Sequence, residues 1–184
     1  MTITLLAALG AALTLATITE TGIAANYRDA SETLYAAEAA VEFVMQEIAD
    51  VPDWRDVIAV SGGSVFVDGP ADGMRTVGPV TLDLAHETQD VNAIPAGAAS
   101  PARVLYAFGR FQDLVPSSMN RSRVYVAVWV ADRSAPLGDG TSMPVALSIL
   151  GQAYGTQGSR RSVEAIVARA DAASIRAVSW REVR

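Results

Sequence analysis

The sequence predicts an α+β fold in which a long N-terminal helix packs on a mainly antiparallel sheet. Three observations support this fold class. An uncharged apolar run opens the chain, a helix-period apolar pattern follows it as far as Pro52, and after Trp54 the pattern alternates with period two. The 184 residues, 51% hydrophobic and 18% charged, fit one globular domain with an apolar appendage. We therefore expect a hydrophobic helix over residues 1–26 and a globular domain over residues 27–184.

The apolar run predicts a membrane-spanning or filament-core helix. Residues 1–19 carry no charge, and nineteen helical residues extend about 28 Å, close to the thickness of a bilayer's hydrocarbon. No basic residue precedes the run and the helical pattern continues beyond it, so a retained segment is favoured over a signal peptide. Small residues at a spacing of four allow close helix approach. The residues assigned to this packing are Thr2, Leu5, Ala8, Ala12, Ala16 and Glu20.

Threonine and glycine are frequent in the same run. Thr14, Thr17 and Thr21 form a hydroxyl stripe, and Gly10 and Gly22 flank it. Both residue types have lower helix propensity than alanine or leucine. We therefore expect local loosening of the helix between about residues 14 and 22.

The second part of the helix has an apolar seam. From Tyr27 to Val51 the apolar positions alternate in spacing between three and four, which is typical of an amphipathic helix. Pro52 predicts a helix end shortly after Asp50. Packing of the seam on the chain's own sheet is favoured by its small alanines, and a coiled coil is the alternative. The residues assigned to the helix–sheet seam are Tyr27, Leu34, Val41, Val44 and Ile48.

Eight strands are predicted after Trp54. Their apolar alternation and the turn-forming residues between them give these ranges: Val57–Val60, Val65–Val67, Val80–Ala85, Val104–Phe108, Arg123–Ala131, Val145–Tyr154, Ser162–Arg169 and Ile175–Val183. Arg123–Ala131 is apolar on both faces, which predicts a central strand. Turn chemistry marks the breaks Gly69–Gly73, Ala93–Pro101, Ser134–Met143 and Gly155–Ser159.

Charge is distributed unevenly along the chain. Residues 1–99 hold 3 arginines and 14 acids, and residues 100–184 hold 11 arginines and 6 acids, which gives balances of −11 and +5. A head-to-tail assembly of bipolar subunits and a chance surface distribution both account for this pattern. On the first reading Glu38 and Glu42 contact Arg160 and Arg161 of another subunit; pairing within one chain is the alternative. The net charge of −6 argues against nucleic acid as a partner.

The sequence does not favour an enzyme, a cofactor or a metal centre. The chain has no cysteine, which excludes disulfides, thiolate zinc sites and a thiol nucleophile. Its one histidine, His86, falls in a predicted strand or turn over Leu84–Thr88, and no Gly-x-Ser-x-Gly motif accompanies it. The Asp-Gly pairs near Asp68, Asp72 and Asp139 lack the order of a calcium loop and are interpreted as turns. Asn120-Arg121-Ser122 has the form of a glycosylation sequon, a pattern that is common by chance.

The segment ETGIAANYRDASETLYAAEAAVEF (Glu20–Phe43) resembles the N-terminal region of the PilX-type minor pilins, which are type IV pilins. The tail VSWREVR (Val178–Arg184) resembles the end of pilin-like proteins of this group. The resemblance covers about the first 50 residues well and the sheet domain only loosely. It implies a structural subunit of an extracellular filament, whose partners are copies of itself and other pilins.

The resemblance also implies a route to the filament. Such subunits are made as prepilins, cleaved after a glycine, often N-methylated, and held in the bacterial inner membrane before assembly. Met1 is then the first mature residue. Family members usually carry a glutamate at position five that pairs with a neighbour's terminal amine, whereas this chain has Leu5. Glu20 either takes over that pairing or touches water at the membrane edge. A membrane-anchored periplasmic or cell-surface binding domain that never polymerises is the alternative function.

Overall fold

The computed structural model describes residues 2–93, 102–115, 121–133, 146–169 and 174–183. A long helix is packed on a five-stranded antiparallel sheet, which confirms the predicted α+β class. The helices are α1 (Thr2–Ala49), α2 (Trp54–Ala59), α3 (Leu84–Ala93) and α4 (Phe111–Leu114). The strands are β1 (Met74–Val77), β2 (Val80–Asp83), β3 (Val104–Arg110), β4 (Tyr125–Asp132), β5 (Ala146–Tyr154), β6 (Arg160–Arg169) and β7 (Ile175–Val183).

Helix α1 is continuous over 48 residues, or about 72 Å. The expected loosening between residues 14 and 22 is absent, so that prediction was wrong for the isolated chain. The hydroxyls of Thr14, Thr17 and Thr21 donate to the carbonyl oxygens of Gly10, Leu13 and Thr17, at 2.8–3.0 Å. These bonds to the carbonyl one turn earlier give the threonine hydroxyls partners inside the helix, and the backbone remains helical through the whole stretch.

The large sheet has the order β3-β4-β5-β6-β7, and every neighbouring pair is antiparallel. Strand β4 lies between β3 and β5 and is buried from Tyr125 to Ala131, which confirms the central strand. Each face of the sheet supports a separate hydrophobic cluster. One face packs on α1, and the other packs on α3 and the β1–β2 hairpin.

The sequence was wrong about structure between residues 53 and 93. Val57–Val60, expected as a strand, overlaps α2, because the Asp53 side chain accepts a hydrogen bond from the Arg55 amide and caps a helix. The strand expected over Val80–Ala85 ends at Asp83, whose carboxylate accepts from the amides of Ala85 and His86 at the start of α3. Of Val65–Val67 only Val67 bridges to Phe108. Strand β1 was not expected.

The later strands agree with expectation within about two residues at most ends, and β7 matches the expected Ile175–Val183. Gly155–Ser159 connects β5 to β6. Met1, Val145, Arg184, Asn120 and Asp139 lie outside the described residues, as do residues 94–101 and 134–143 of two expected breaks.

Candidate functional site

The N-terminal half of α1 stands clear of the globular domain. The residues assigned to filament-core packing are all exposed: Thr2, Leu5, Ala8, Ala12, Ala16 and Glu20. By length and composition α1 is apolar enough to cross a membrane, and its most apolar window, near the N-terminus, is 0% buried. This half of the helix therefore offers its whole circumference to a bilayer or to other helices.

The exposed half carries two parallel rows of side chains. Ala8, Ala12 and Ala16 recur every four residues, and so do the exposed Leu5, Leu9 and Leu13. A Cβ atom added to Gly10 would meet nothing within 4 Å. In a straight helix, rows at a spacing of four form the ridges and grooves along which helices interdigitate. The leucine row is a ridge and the alanine row is a groove of matching direction.

The helix–sheet seam is shorter than the sequence predicts. Val41, Val44 and Ile48 are fully buried against the sheet, and Leu34 is half-buried. Tyr27 is 76% exposed, so its assignment to the seam was wrong. The physical reason is that the sheet ends too early: the β5–β6 turn meets α1 at Thr33, whose hydroxyl lies 2.6 Å from that of Ser159.

Close backbone approach at the seam escaped the sequence analysis. A Cβ atom on Gly151 of β5 would lie 2.6 Å from Val41 Cγ2 and 2.9 Å from the Ala37 carbonyl oxygen. Glycine on the strand and alanine on the helix therefore let α1 lie almost on the sheet backbone. Ala36, Ala40 and Thr33 are buried at the same interface. The sequence signal for this close approach is the small residues, Ala36 and Ala40, that lie between the seam positions.

The charges expected between subunits are differently placed. Arg160 pairs with Glu87 at 2.8 Å, and Arg161 pairs with Glu182 at 3.0 Å. Both arginines therefore have partners in their own chain, as the alternative interpretation held. Glu42 is exposed and Glu38 half-buried on α1, and neither forms an ion pair with another described residue.

A buried charge cluster on the opposite sheet face was missed entirely. Glu164 is 2% exposed and accepts hydrogen bonds from Arg181 Nε at 2.9 Å, Arg103 Nη2 at 3.0 Å and Ser148 Oγ at 2.8 Å. Burial raises the pKa of Glu164, but the bonds from Arg181, Ser148 and Arg103 outweigh burial and hold its pKa below the ordinary value. Alternation in single strands could not reveal a cluster that depends on strand register.

The residues considered for catalysis or metal binding have structural partners. His86 lies exposed on α3, 3.6 Å from Asp90, rather than in a strand or turn. Asp68 accepts from Arg75 Nε at 2.8 Å and from the Tyr125 hydroxyl at 3.0 Å. In the described part of the chain, no group of three or more His, Cys, Asp or Glu side chains is placed to hold a metal ion.

A mostly exposed apolar helix that continues into a helix packed on an antiparallel sheet defines a class of architecture consistent with a pilin-like fold. Comparison with known proteins found no matching family model, no matching curated protein and no matching solved structure.

Proposed function

We propose that this chain is a structural subunit of a type IV pilus-like filament, of the PilX-type minor pilin kind, which polymerises through the exposed half of α1. One observation carries the proposal. A single unbroken helix is bare and apolar over its first half and buried on an antiparallel sheet over its second half. Such a helix tethers a folded domain to an apolar environment that the chain itself does not supply.

The exposed half of α1 requires that environment for an energetic reason. Eight large apolar side chains between Ile3 and Ile23 are more than half exposed, and an apolar surface of this extent is unfavourable in water. A bilayer covers it before assembly, and neighbouring copies of the same helix cover it afterwards. On this proposal the subunit is held in the inner membrane first and reaches the cell surface in a filament.

The two rows on the exposed half suggest how copies pack. The ridge of Leu5, Leu9 and Leu13 on one copy fits the groove of Ala8, Ala12 and Ala16 on the next. The two rows are adjacent, offset by about 60° around the helix. Since every copy carries both rows, the contact repeats along a fibre of parallel, axially displaced helices. Glu20, the one carboxylate on this half, then pairs with a group of another subunit within the packed helices.

Electron microscopy of filaments from Ala12→Leu and Ala7→Leu variants tests this packing. Ala12 lies in the middle of the groove, whereas Ala7 lies well away from it on the helix circumference. We expect Ala12→Leu to reduce filament yield strongly and Ala7→Leu to leave it near that of the parent. Both variants should retain the circular dichroism spectrum of the folded domain. Normal yield from the Ala12→Leu variant would show that close packing there is wrong.

A membrane-anchored domain that never polymerises is the second candidate. Leu5 favours it, because the family's usual pairing between a glutamate and a terminal amine is impossible with leucine at that position. Helical symmetry of the purified assembly separates the two candidates. An anchored, non-polymerising protein would form no helical assembly at all.

A further inference from the structure

A segment at the β3 edge of the large sheet has a strand-like sequence and lies beside β3 without becoming a regular strand. Residues 60–68 follow α2, and the sequence predicts a strand over Val65–Val67 within them. Of these residues, which the structure describes in full, Val67 alone forms a bridge, parallel to Phe108 of β3. The pairings among β3 to β7 are antiparallel. We call residues 60–68 the strap.

The strap takes up backbone groups on the edge of β3 that faces away from β4. The Gly62 amide donates to the Leu105 carbonyl oxygen at 2.8 Å. The Phe108 amide donates to the Phe66 carbonyl oxygen at 2.9 Å. A third bond, from a strap amide to a β3 carbonyl oxygen, is longer, at 3.3 Å. Because β3 is the last strand on its side of the sheet, these groups would be open to another chain without the strap.

An aromatic ring anchors the middle of the strap. The half-buried Phe66 lies against Gly109 of β3, where an added Cβ atom would be 2.8 Å from the Phe66 ring. The Phe43 ring of α1 meets Phe66 edge to face, with 6.0 Å between the ring centroids. The missing side chain at Gly109 therefore leaves the space that Phe66 fills between α1 and β3.

A carboxylate of α1 holds the same part of the strap by hydrogen bonds. Glu47 accepts from the Ser64 hydroxyl at 2.6 Å and from the Val65 amide at 2.8 Å. The Ser64 oxygen in turn accepts from the Phe66 amide at 3.0 Å. Hydrogen bonds to an ionised carboxylate are stronger than those between neutral groups. The strap is thus attached by both an apolar and a polar contact.

The strap is built to open locally. Of the strap residues, all within the described part of the chain, Ser64 alone is buried, and Val65 is 84% exposed. Both ends of the strap are fixed, because α2 packs into the core before it and Asp68 bonds to side chains of β1 and β4 after it. Segments with few buried contacts open at a lower free energy than the whole domain does. The strap can therefore leave β3 while both hydrophobic clusters stay intact.

We propose that the strap is an autoinhibitory cover, fastened by Phe66 and Glu47, that keeps the β3 edge from pairing with β3 of a second copy. An uncovered β3 is a seven-residue edge strand whose interior residues are already ordered and buried in the sheet. Two such edges related by a two-fold axis pair antiparallel, as the other strands of the sheet do, and the same surface serves both chains. The cover acts within each chain, so it depends on neither the membrane nor the filament proposed above.

Hydrogen exchange and light scattering of the full chain in detergent test the cover. Phe66→Ala removes the anchoring ring, and Val65→Ala, an exposed change in the same strap, is the matched control. At low protein concentration, Phe66→Ala should raise the exchange rates of the Gly62 and Phe108 amides about tenfold or more. At high concentration this variant should dimerise, and the Phe108 amide should be protected again because a partner strand replaces the strap. The Gly62 amide belongs to the strap and should stay fast.

A second variant, Glu47→Gln with Ser64→Ala, releases the polar contact without removing a ring, and Glu42→Gln is its control. It should show the same pattern to a smaller extent, and it decides the matter if Phe66→Ala does not fold. Fast exchange of both amides at every concentration, without dimers, would overturn the proposal, because the uncovered edge would then have no partner. Exchange as slow as in the parent would also overturn it, since the strap would not depend on these contacts.

Discussion

At the scale of single residues, Glu164 illustrates how a buried charge is retained in this fold. Its two carboxylate oxygens are shared between Arg103, Arg181 and the Ser148 hydroxyl, which come from three separate regions of the chain. Arg103 is nearly buried, whereas the Arg181 side chain is 63% exposed. Removing the carboxylate leaves a guanidinium with little access to water, and an uncompensated buried charge is strongly destabilising.

Replacing Glu164 with glutamine should lower the free energy of unfolding at neutral pH by about 3 kcal/mol. The sign of the pH dependence follows from its lowered pKa. The carboxylate contributes stability above the ordinary value of 4.5, and this contribution disappears as the pH falls through the pKa of the folded state. Urea unfolding of the full chain in detergent measures this contribution. The pH is varied from about 3 to about 7, roughly the range in which carboxylates titrate.

The parent and the Glu164→Gln variant should converge in stability at the acidic end of that range. Glu42→Gln is the matched control, because Glu42 is exposed on α1 and has no ion-pair partner among the described residues. The free energy of unfolding of the Glu42→Gln variant should differ from that of the parent by the same small amount at every pH. A constant difference between the parent and Glu164→Gln over the whole range would contradict a role for the charge.

At the scale of elements, contact between α1 and the sheet is graded along the helix. Tyr27 extends beyond the sheet, and Thr33 meets the β5–β6 turn at its near margin. Ala37 and Val41 lie over the middle of β5, and the C-terminal end of the helix reaches the far end of β6. Arg169 of β6 secures the far end: its guanidinium donates to the carbonyl oxygens of Val51 and Pro52 and lies 4.7 Å from the Trp54 ring. The C-terminal end of α1 is thus attached by hydrogen bonds as well as by packing.

Alanine substitutions along the seam should reproduce this gradient. We expect Val41→Ala to lower the free energy of unfolding by about 2–3 kcal/mol, since Val41 is fully buried. Leu34→Ala should lower the free energy of unfolding by less than the loss of a fully buried leucine would, because Leu34 is only half-buried. Tyr27→Ala should leave the free energy of unfolding unchanged within error, because the Tyr27 ring is exposed to solvent. Thermal unfolding of the three variants checks the order. Equal effects at all three positions would indicate that α1 packs in another way.

The sequence predicted the elements that are long and strongly patterned. It did not predict the short segments in which one side chain determines whether a helix or a strand forms. The seam spacing predicted α1, and the alternation of Arg123–Ala131 predicted β4, an interior strand buried on both faces. A short apolar run such as Val57–Val60 fits a strand or a helix equally well, and Asp53 selected the helix by capping it. Gly151 and the partners of Glu164 depend on register between distant segments, which no local pattern encodes.

At the scale of the whole molecule, the chain consists of an exposed helical half and a globular domain that forms its hydrophobic clusters without that half. Among the described residues no core residue precedes Thr33, so the bare half of α1, as far as the structure describes it, adds no member to the two hydrophobic clusters. Among the ion pairs of the described residues, only Arg160–Glu87 joins the acidic first half to the basic second half, whereas Glu164 and Glu182 pair with arginines of the second half itself.

Residues 27–184 should therefore fold alone as a soluble monomer. Both edges of the sheet oppose self-association: the β3 edge is covered by the bonds of Gly62 and Phe66 to Leu105 and Phe108, and β7 carries a bulge and exposed arginines. Light scattering after size exclusion should give the mass of one chain. The melting temperature should stay within a few degrees of that of the full chain in detergent, because the removed residues bury nothing. An aggregated or molten fragment would mean that the bare half of α1 stabilises the domain after all, and a dimer would mean that an edge of the sheet is an unprotected interface.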